Sequence, residues 1–282
     1  MDPVTKTLTL IFLITTMAAI GLKVTTGELV SAFHDRSLMV RSLIVNMVIV
    51  PLLGLLLVKI VPMSQDVKVG IILLAAAPGG LNAIQFTSKS KDALCYAASL
   101  LFILTLLSVL LSPAIAGLML PVDTSLKLPY GKVIRFLFLY LFLPLVIGFV
   151  VQRISKKVAN FLSKPMALIG TIFFVVVVVR MLAQRKEAMA AMSKTELAAM
   201  IVFILLTMII GWLFGGPSRE TRRVLATATS MRNAAICFII ATNGFPNTNV
   251  IVTVVAFSGL MIFPNMLFTV HEIIKERKLS GS

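Results

Sequence analysis

The sequence has little charge, and this excludes an ordinary soluble domain. Asp, Glu, Lys and Arg make up 13% of its 282 residues, whereas a typical soluble protein carries about 25%. Hydrophobic residues make up 59% of the chain, and the mean hydropathy is +1.02. We therefore expect a polytopic membrane protein that lies in the lipid bilayer.

The sequence is also poor in the side chains that build metal centres and hydrolytic sites. Its two cysteines, Cys95 and Cys237, lie inside apolar runs, which indicates small buried hydrophobes rather than a disulfide framework or a metal site. The two histidines, His34 and His271, lie in a loop or at the end of a run. The patterns His-Glu-x-x-His and Gly-x-Ser-x-Gly and the phosphate-binding loop are absent. We expect no enzyme, no cofactor, no resident metal and no ATP-driven pump of that type.

Acidic residues are few, and none lies at the centre of an apolar run. The net charge is +15, from 26 Lys and Arg against 11 Asp and Glu. The acids all lie in loops or at the ends of runs: Asp2, Glu28, Asp35, Asp66, Asp92, Asp123, Glu187, Glu196, Glu220, Glu272 and Glu276. The basic residues form no aromatic-laced patch and no known binding module, so nucleic acid is not an expected partner.

Nine apolar runs are long enough to cross a bilayer, each needing about 20 residues. They cover 5–22, 38–60, 69–88, 93–119, 132–152, 163–182, 197–215, 222–242 and 250–270. No cleavage pattern follows the first run, which argues against a cleaved signal peptide. If the tail 272–282 is cytoplasmic, most Lys and Arg fall in cytoplasmic loops, although Arg180, Arg185, Lys186 and Lys194 oppose this rule. We predict nine transmembrane helices in the plasma (bacterial inner) membrane, with the N-terminus outside.

Two of the nine runs are interrupted by polar and helix-breaking residues. The interruption in the third run, near 78–82, contains Pro78, Gly79, Gly80 and Asn82, with Gln85 just beyond it. The interruption in the eighth run, near 227–233, contains Thr229, Ser230, Arg232 and Asn233. Unpaired backbone groups are costly in hydrocarbon, so a broken helix persists there only where it lines a cavity or a site. Both sets are therefore candidate binding residues.

The positions of the two interruptions suggest an inverted repeat. The chain divides in the loop from Pro121 to Lys132, giving a first half, 1–120, with four spans and a second half, 130–271, with five. In inverted-repeat transporters, broken helices from the two halves meet near the middle of the membrane and bind substrate there.

These motifs resemble those of the bile acid:sodium symporter family, whose broken helices read Pro-Gly-Gly-x-x-Ser-Asn and Glu-x-Gly-x-Gln-Asn. Pro78-Gly79-Gly80 matches the first motif, and Met231-Arg232-Asn233 lies at the place of the second. Supporting matches are Gly21-Leu22-Lys23, Pro51, Ser112-Pro113 and Pro144. The resemblance implies a core domain in which the broken helices cross, a panel domain packed against it, and an amphipathic organic anion held between them. It also implies two sodium ions behind the crossing.

The sequence departs from the family pattern at the implied sodium sites. The family's Ser and Asn fall on Ala83 and Ile84, and its shared Glu falls on Ala228. Hydroxyl ligands of the next helix fall on Cys95 and Ser99, and Arg232 stands in the place of a Gln. Asn46, at the place of another Gln, and backbone carbonyls near Thr229 remain. Since hard cations need oxygen ligands, we expect these ion sites to be degenerate and transport to be independent of sodium.

Arg232 is the most unusual residue of the sequence, because an arginine within a span is a functional candidate by default. It could occupy the space of the missing sodium, hold the broken helices together and present charge to an anion. Asn233 and Asn265 are further candidate substrate contacts by the same resemblance. We expect a secondary transporter of a small or amphipathic organic anion that works by alternating access.

Other interpretations stay open at this point. Arg232 could serve only to satisfy helix carbonyls, and Pro78-Gly79-Gly80 could be a tolerated kink. Asn233 and Asn265 could form ordinary hydrogen bonds between helices. The alternative functions are a sodium-coupled organic anion symporter with a reduced ion site and, more remotely, a channel.

Overall fold

The structure, a computed structural model, describes residues 3–32, 35–80, 83, 90–120, 129–246 and 248–280. The regular elements within these ranges are helices: α1 (Pro3–Lys23), α2 (Thr26–Ala32), α3 (Arg36–Ile44), α4 (Val50–Ile60), α5 (Gln65–Ala76), α6 (Lys91–Met119), α7 (Tyr130–Leu137), α8 (Leu143–Ile154), α9 (Lys156–Gln184), α10 (Lys186–Ala190), α11 (Lys194–Phe214), α12 (Arg219–Ser230), α13 (Ala234–Gly244), α14 (Val250–Leu260) and α15 (Ile262–Ser280). The predicted all-helical class is confirmed.

Eight stretches of helix in the described part of the chain are long and apolar enough to cross a membrane, so this is an integral membrane protein. They cover Pro3–Lys23, Arg36–Ile60, Asp92–Met119, Tyr130–Ile154, Lys156–Gln184, Lys194–Phe214, Arg219–Gly244 and Val250–Lys275. Of the nine predicted runs, the third, 69–88, does not correspond to any of these eight stretches. Its helix α5 has 12 residues and is about 18 Å long, too short to cross about 30 Å of hydrocarbon. Most of the rest of that run lies outside the described residues, so the count of nine stays a prediction.

Two of the spans contain a wide π-helical turn just before a proline. Val45–Ile49 separates α3 from α4 and precedes Pro51, and Phe138–Phe142 separates α7 from α8 and precedes Pro144. A proline cannot donate a backbone hydrogen bond, and its ring clashes with the preceding turn of an α-helix. The wider turn accommodates the proline without ending the helix, and in the first case it contains Asn46.

Helix α1 packs closely against α8 and α9, and glycines make this possible. A side chain at Gly21 would collide with the carbonyl of Leu145, and one at Gly148 with the carbonyl of Ala18. Gly170 of α9 faces the hydroxyl of Thr16 in the same way. Because lipid is as apolar as the helices themselves, close packing of small residues is a main source of helix association in a membrane. These three helices form one side of the molecule.

The span made of α12 and α13 lies at the centre of the remaining helices. In its most apolar stretch 94% of the residues are buried, against 17% for α9. A span that touches lipid on one side exposes apolar side chains there, as α9 does at Val175 and Val179. The α12–α13 span is surrounded by protein instead, and this lets it contain polar residues.

Candidate functional site at the crossing of two broken helices

The first broken helix is interrupted by its own backbone. Helix α5 ends at Ala76, Pro78 has no N–H group to donate, and Gly79 has a φ of 92°, which side chains other than glycine rarely allow. The carbonyls that this break frees are served by α6. Ser108 Oγ donates to the carbonyl of Pro78 at 2.8 Å, and Thr105 Oγ1 donates to that of Gly79 at 3.2 Å.

The second broken helix is interrupted between α12, which ends at Ser230, and α13, which begins at Ala234. Asn233 caps the new helix, because its Oδ1 accepts a hydrogen bond from the backbone N–H of Ile236 at 3.3 Å. Its Nδ2 donates to the carbonyl of Gly79 at 3.2 Å. One side chain therefore satisfies an orphan donor of its own helix and an orphan acceptor of the other.

The two breaks are joined directly by backbone hydrogen bonds. The N–H of Gly80 donates to the carbonyl of Met231 at 3.1 Å, and the N–H of Asn233 donates to the carbonyl of Ala77 at 2.8 Å. The chains approach so closely that a Cβ atom on Gly80 would lie 2.6 Å from the carbonyl oxygen of Met231 and 2.7 Å from that of Arg232. Only glycine fits at this position.

Arg232 ties the crossing together and is buried, with 1% of its surface exposed. Its Nε donates to the carbonyl of Leu74 at 2.8 Å, and its Nη2 donates to that of Ala75 at 2.6 Å. Its Nη1 donates to Asn46 Oδ1 at 3.1 Å and to the carbonyl of Thr229 at 3.2 Å. The guanidinium thus bonds the carbonyl ends of both α5 and α12, where the helix macrodipole is negative, and none of the described carboxylates pairs with it.

Asn46, from the π-helical turn between α3 and α4, completes this network together with Thr229 of α12. Asn46 Nδ2 donates to the carbonyl of Ser42 at 3.0 Å and to Thr229 Oγ1 at 3.3 Å. Separately, Ser230 Oγ donates to Asn265 Oδ1 at 2.8 Å, and Asn265 Nδ2 donates to the carbonyl of Met261 at 2.8 Å. Asn265 is fully buried and lies outside the lining of the cavity described next.

A cavity of about 150 Å³ lies between the crossing and the helices α1 and α9. Its floor is formed by Gly80, Met231, Arg232, Asn233, Ala234 and Ala235 of the broken helices. The facing wall is largely apolar, and the polar residues described there are Thr16, Thr171 and the exposed Lys23. The charged residues of the lining, within the part of the chain that the structure describes, are Lys23 and Arg232, and both are positive.

The candidate ion-site positions divide into three sets. Ala83 and Ala228 are buried and carry no side-chain oxygen. Cys95 is half-buried, and Ser99 Oγ is buried without a hydrogen-bond partner. Asn46 is engaged by Arg232. The positions Asn82, Ile84 and Gln85, which the sequence also singled out, lie outside the described residues.

Sequence reasoning missed five side chains that the structure brings to this region. Lys23 lies at the end of the first span, where the sequence marks it only as part of the motif Gly21-Leu22-Lys23. Thr16 and Thr171 line the cavity, and Thr105 and Ser108 support the first break. The sequence did not single them out because hydroxyls in apolar helices usually bond their own backbone. A useful signal was the spacing of Thr105 and Ser108, which puts both hydroxyls on one face of α6.

Comparison with known proteins identifies the family. The family model described as the Sodium Bile acid symporter family matches residues 10–192. The chain belongs to this family. A separate search of curated proteins found no match to the chain. Membership makes the protein a secondary transporter rather than an enzyme, as predicted, and the membrane fold is that of the family. The matched residues include the first broken helix and end before the second, so Arg232 and Asn233 lie beyond them.

Proposed function

We propose that this member of the sodium bile acid symporter family carries a small or amphipathic organic anion across the membrane by alternating access, without coupling to sodium. The observation that carries the proposal is the buried guanidinium of Arg232, which bonds both broken helices and borders the cavity. A substrate that binds at the crossing meets a fixed positive charge there.

The charges around the cavity support an anionic substrate. Among the described residues, its lining contains the positive side chains of Lys23 and Arg232 and no carboxylate. The two carboxylates buried in the described part of the chain are satisfied elsewhere. Glu196 accepts hydrogen bonds from Ser64 and from the backbone of Ser193, and Glu272 pairs with Arg219 through two bonds of 2.7 and 3.0 Å.

The residues that the structure describes at the implied sodium sites offer too few free oxygens for sodium. The oxygens that remain there, Asn46 Oδ1 and the carbonyl of Thr229, already accept hydrogen bonds from Arg232. A second cation would be repelled by this guanidinium, because no described carboxylate neutralises it. At 4 Å two unit charges of the same sign repel each other by about 4 kcal/mol at an effective dielectric constant of 20. Ser99 Oγ is the one hydroxyl of this set without a partner, and a single hydroxyl is too few ligands for a hard cation.

We also propose that the chain consists of the two inverted halves 1–120 and 130–271, with α1, α8 and α9 as the panel domain and the helices around the crossing as the core domain. Three features support this division. The break falls in the last span but one of each half. Helix α1 packs against α9, which occupies the corresponding place in the second half. The last span of each half contains a proline, Pro113 in the first and Pro264 in the second. A plasma-membrane location, an external N-terminus and a cytoplasmic tail at 272–282 are part of the same proposal.

Uptake by proteoliposomes tests the sodium part of the proposal. The purified protein is reconstituted, and uptake of a panel of labelled carboxylates and sulfonates is measured in sodium, potassium and choline media. We expect saturable uptake and counterflow of at least one anion, with equal rates in the three media. A saturable dependence on sodium would show instead that Asn46, Ser99 and backbone carbonyls suffice for an ion site. A unitary current in planar bilayers would favour a channel.

A further inference from the structure

The cavity contains two cations that differ in what they already bind. Arg232 is fully buried, and at least four of its five N–H donors are used by protein acceptors. Lys23 lies at the end of α1, on the opposite wall of the same cavity. An ammonium has three donors, yet none of the described residues forms an ion pair or a hydrogen bond with that of Lys23.

The two cations therefore have different capacities to bind a ligand. Arg232 contributes its charge to the field of the cavity, but moving its guanidinium toward a ligand would leave buried carbonyls unpaired, which costs about 1–3 kcal/mol for each group. Lys23 breaks no bond when it binds. Its long flexible stem also lets the ammonium follow an anion whose exact position is not fixed by the backbone.

We infer that Lys23 is the residue that contacts the anionic group of the substrate, and that the substrate is a small monoanion rather than a steroid acid. This inference rests on the proposed function. The size limit follows from the volume of about 150 Å³, which is below the roughly 300–1,000 Å³ of sites for drug-sized ligands. The remaining wall is mostly apolar, with Phe12, Ile20 and Phe174 facing the space. An uncharged, apolar body of a few carbon atoms fits this surface.

Pairs of an acid and its amide can show whether Lys23 binds the charge of the substrate or has only a structural role. Hexanoate and phenylacetate are compared with hexanamide and phenylacetamide, which have nearly the same shape and no charge. Inhibition constants are measured against uptake of whichever labelled anion the wild-type protein transports. The variants are Lys23→Gln and Lys23→Arg, with Lys59→Gln as a matched control, because Lys59 is exposed at the end of α4 and does not line the cavity.

We expect the wild-type protein and Lys59→Gln to prefer each acid over its amide. In Lys23→Gln the constants for the acids should weaken by about tenfold or more, those for the amides should stay within about twofold, and Lys23→Arg should recover most of the preference. An unchanged ratio of acid to amide in Lys23→Gln overturns the inference while leaving the proposed function intact. If no organic anion is transported or stabilises the wild-type protein against heat, the proposed function fails and the inference with it.

Cholate tests the size limit independently. We expect it to inhibit at least about tenfold more weakly than phenylacetate in the wild-type protein, since the steroid does not fit the cavity. Inhibition by cholate that equals or exceeds that by phenylacetate overturns the size assignment.

Discussion

The two broken helices are interrupted by different means, and the difference shows which one organises the crossing. The first break is made by the backbone, through Pro78 and Gly79, and it leaves carbonyl acceptors without donors of their own. The second break is made beside two side chains, Arg232 and Asn233, that supply donors. The first helix therefore depends on groups elsewhere in the molecule. The second helix supplies side-chain donors to its own backbone and to its partner, and it receives one backbone hydrogen bond in return, from Gly80 to the carbonyl of Met231.

This comparison predicts its largest effect for Arg232→Ala. The change removes the described donors from the carbonyl of Ala75 and from Asn46 Oδ1, and each unpaired buried group costs about 1–3 kcal/mol. The carbonyl of Leu74 loses one of its two described donors and keeps the N–H of Ala77. We expect uptake to fall to background and the melting temperature in detergent to drop by at least about 10 °C. Arg232→Lys keeps the charge but not the planar arrangement of donors. Its uptake and its melting temperature should therefore lie between those of the wild-type protein and those of Arg232→Ala.

The matched control is Arg135→Ala, which removes an exposed arginine from α7 and should leave uptake and melting unchanged. If Arg232→Ala transported and melted like the wild-type protein, the guanidinium would not be what holds the two breaks together.

A smaller effect is expected from Gly80→Ala, which changes only the distance between the crossing backbones. Its Cβ atom would lie 2.6–2.7 Å from the carbonyl oxygens of Met231 and Arg232, so the two segments must move apart. We expect a loss of uptake of about tenfold or more and a destabilisation of about 1–3 kcal/mol, measured as uptake and as melting in detergent. Gly131→Ala is the control, since a Cβ there meets nothing within 4 Å. Equal behaviour of the two variants would contradict close contact at the crossing.

The sequence contains enough information to find both breaks, because proline, glycine and polar residues in an apolar run are local features. The structure describes the breaks at 77–80 and 231–233. The interruption predicted near 78–82 overlaps the first break, and its residues 81 and 82 lie outside the described residues. The interruption predicted near 227–233 begins four residues before the second break, because Thr229 and Ser230 still belong to α12. The partners of the breaks are not local. Arg232 bonds the carbonyl of Ala75 from 157 positions away and Asn46 from 186, and no periodicity within a helix encodes such pairs.

The residues of the facing wall of the cavity could not be predicted from the sequence for a related reason. Lys23 is one of many basic residues at the ends of spans, where a charge usually reflects topology. It lines the cavity only because close contacts at Gly21 and Gly148 hold α1 against its neighbours, with the end of α1 beside the crossing. Packing between helices far apart in sequence decides this, whereas composition decides only that a helix forms.

The smallest predicted effects concern the hydroxyls of α6 that support the first break, and their order tests how that break is satisfied. Ser108 Oγ is the described donor to the carbonyl of Pro78, whereas the carbonyl of Gly79 accepts from both Thr105 and Asn233. Ser108→Ala should therefore cost about 1–3 kcal/mol, and Thr105→Val should cost less than about 1 kcal/mol, because one donor remains. Melting in detergent measures both, and uptake should stay within about threefold of the wild-type rate. In the Asn233→Ala background, Thr105→Val should become as costly as Ser108→Ala, since the carbonyl of Gly79 then loses its last described donor. A Thr105→Val effect that is the same in both backgrounds would mean that the two donors do not share this carbonyl.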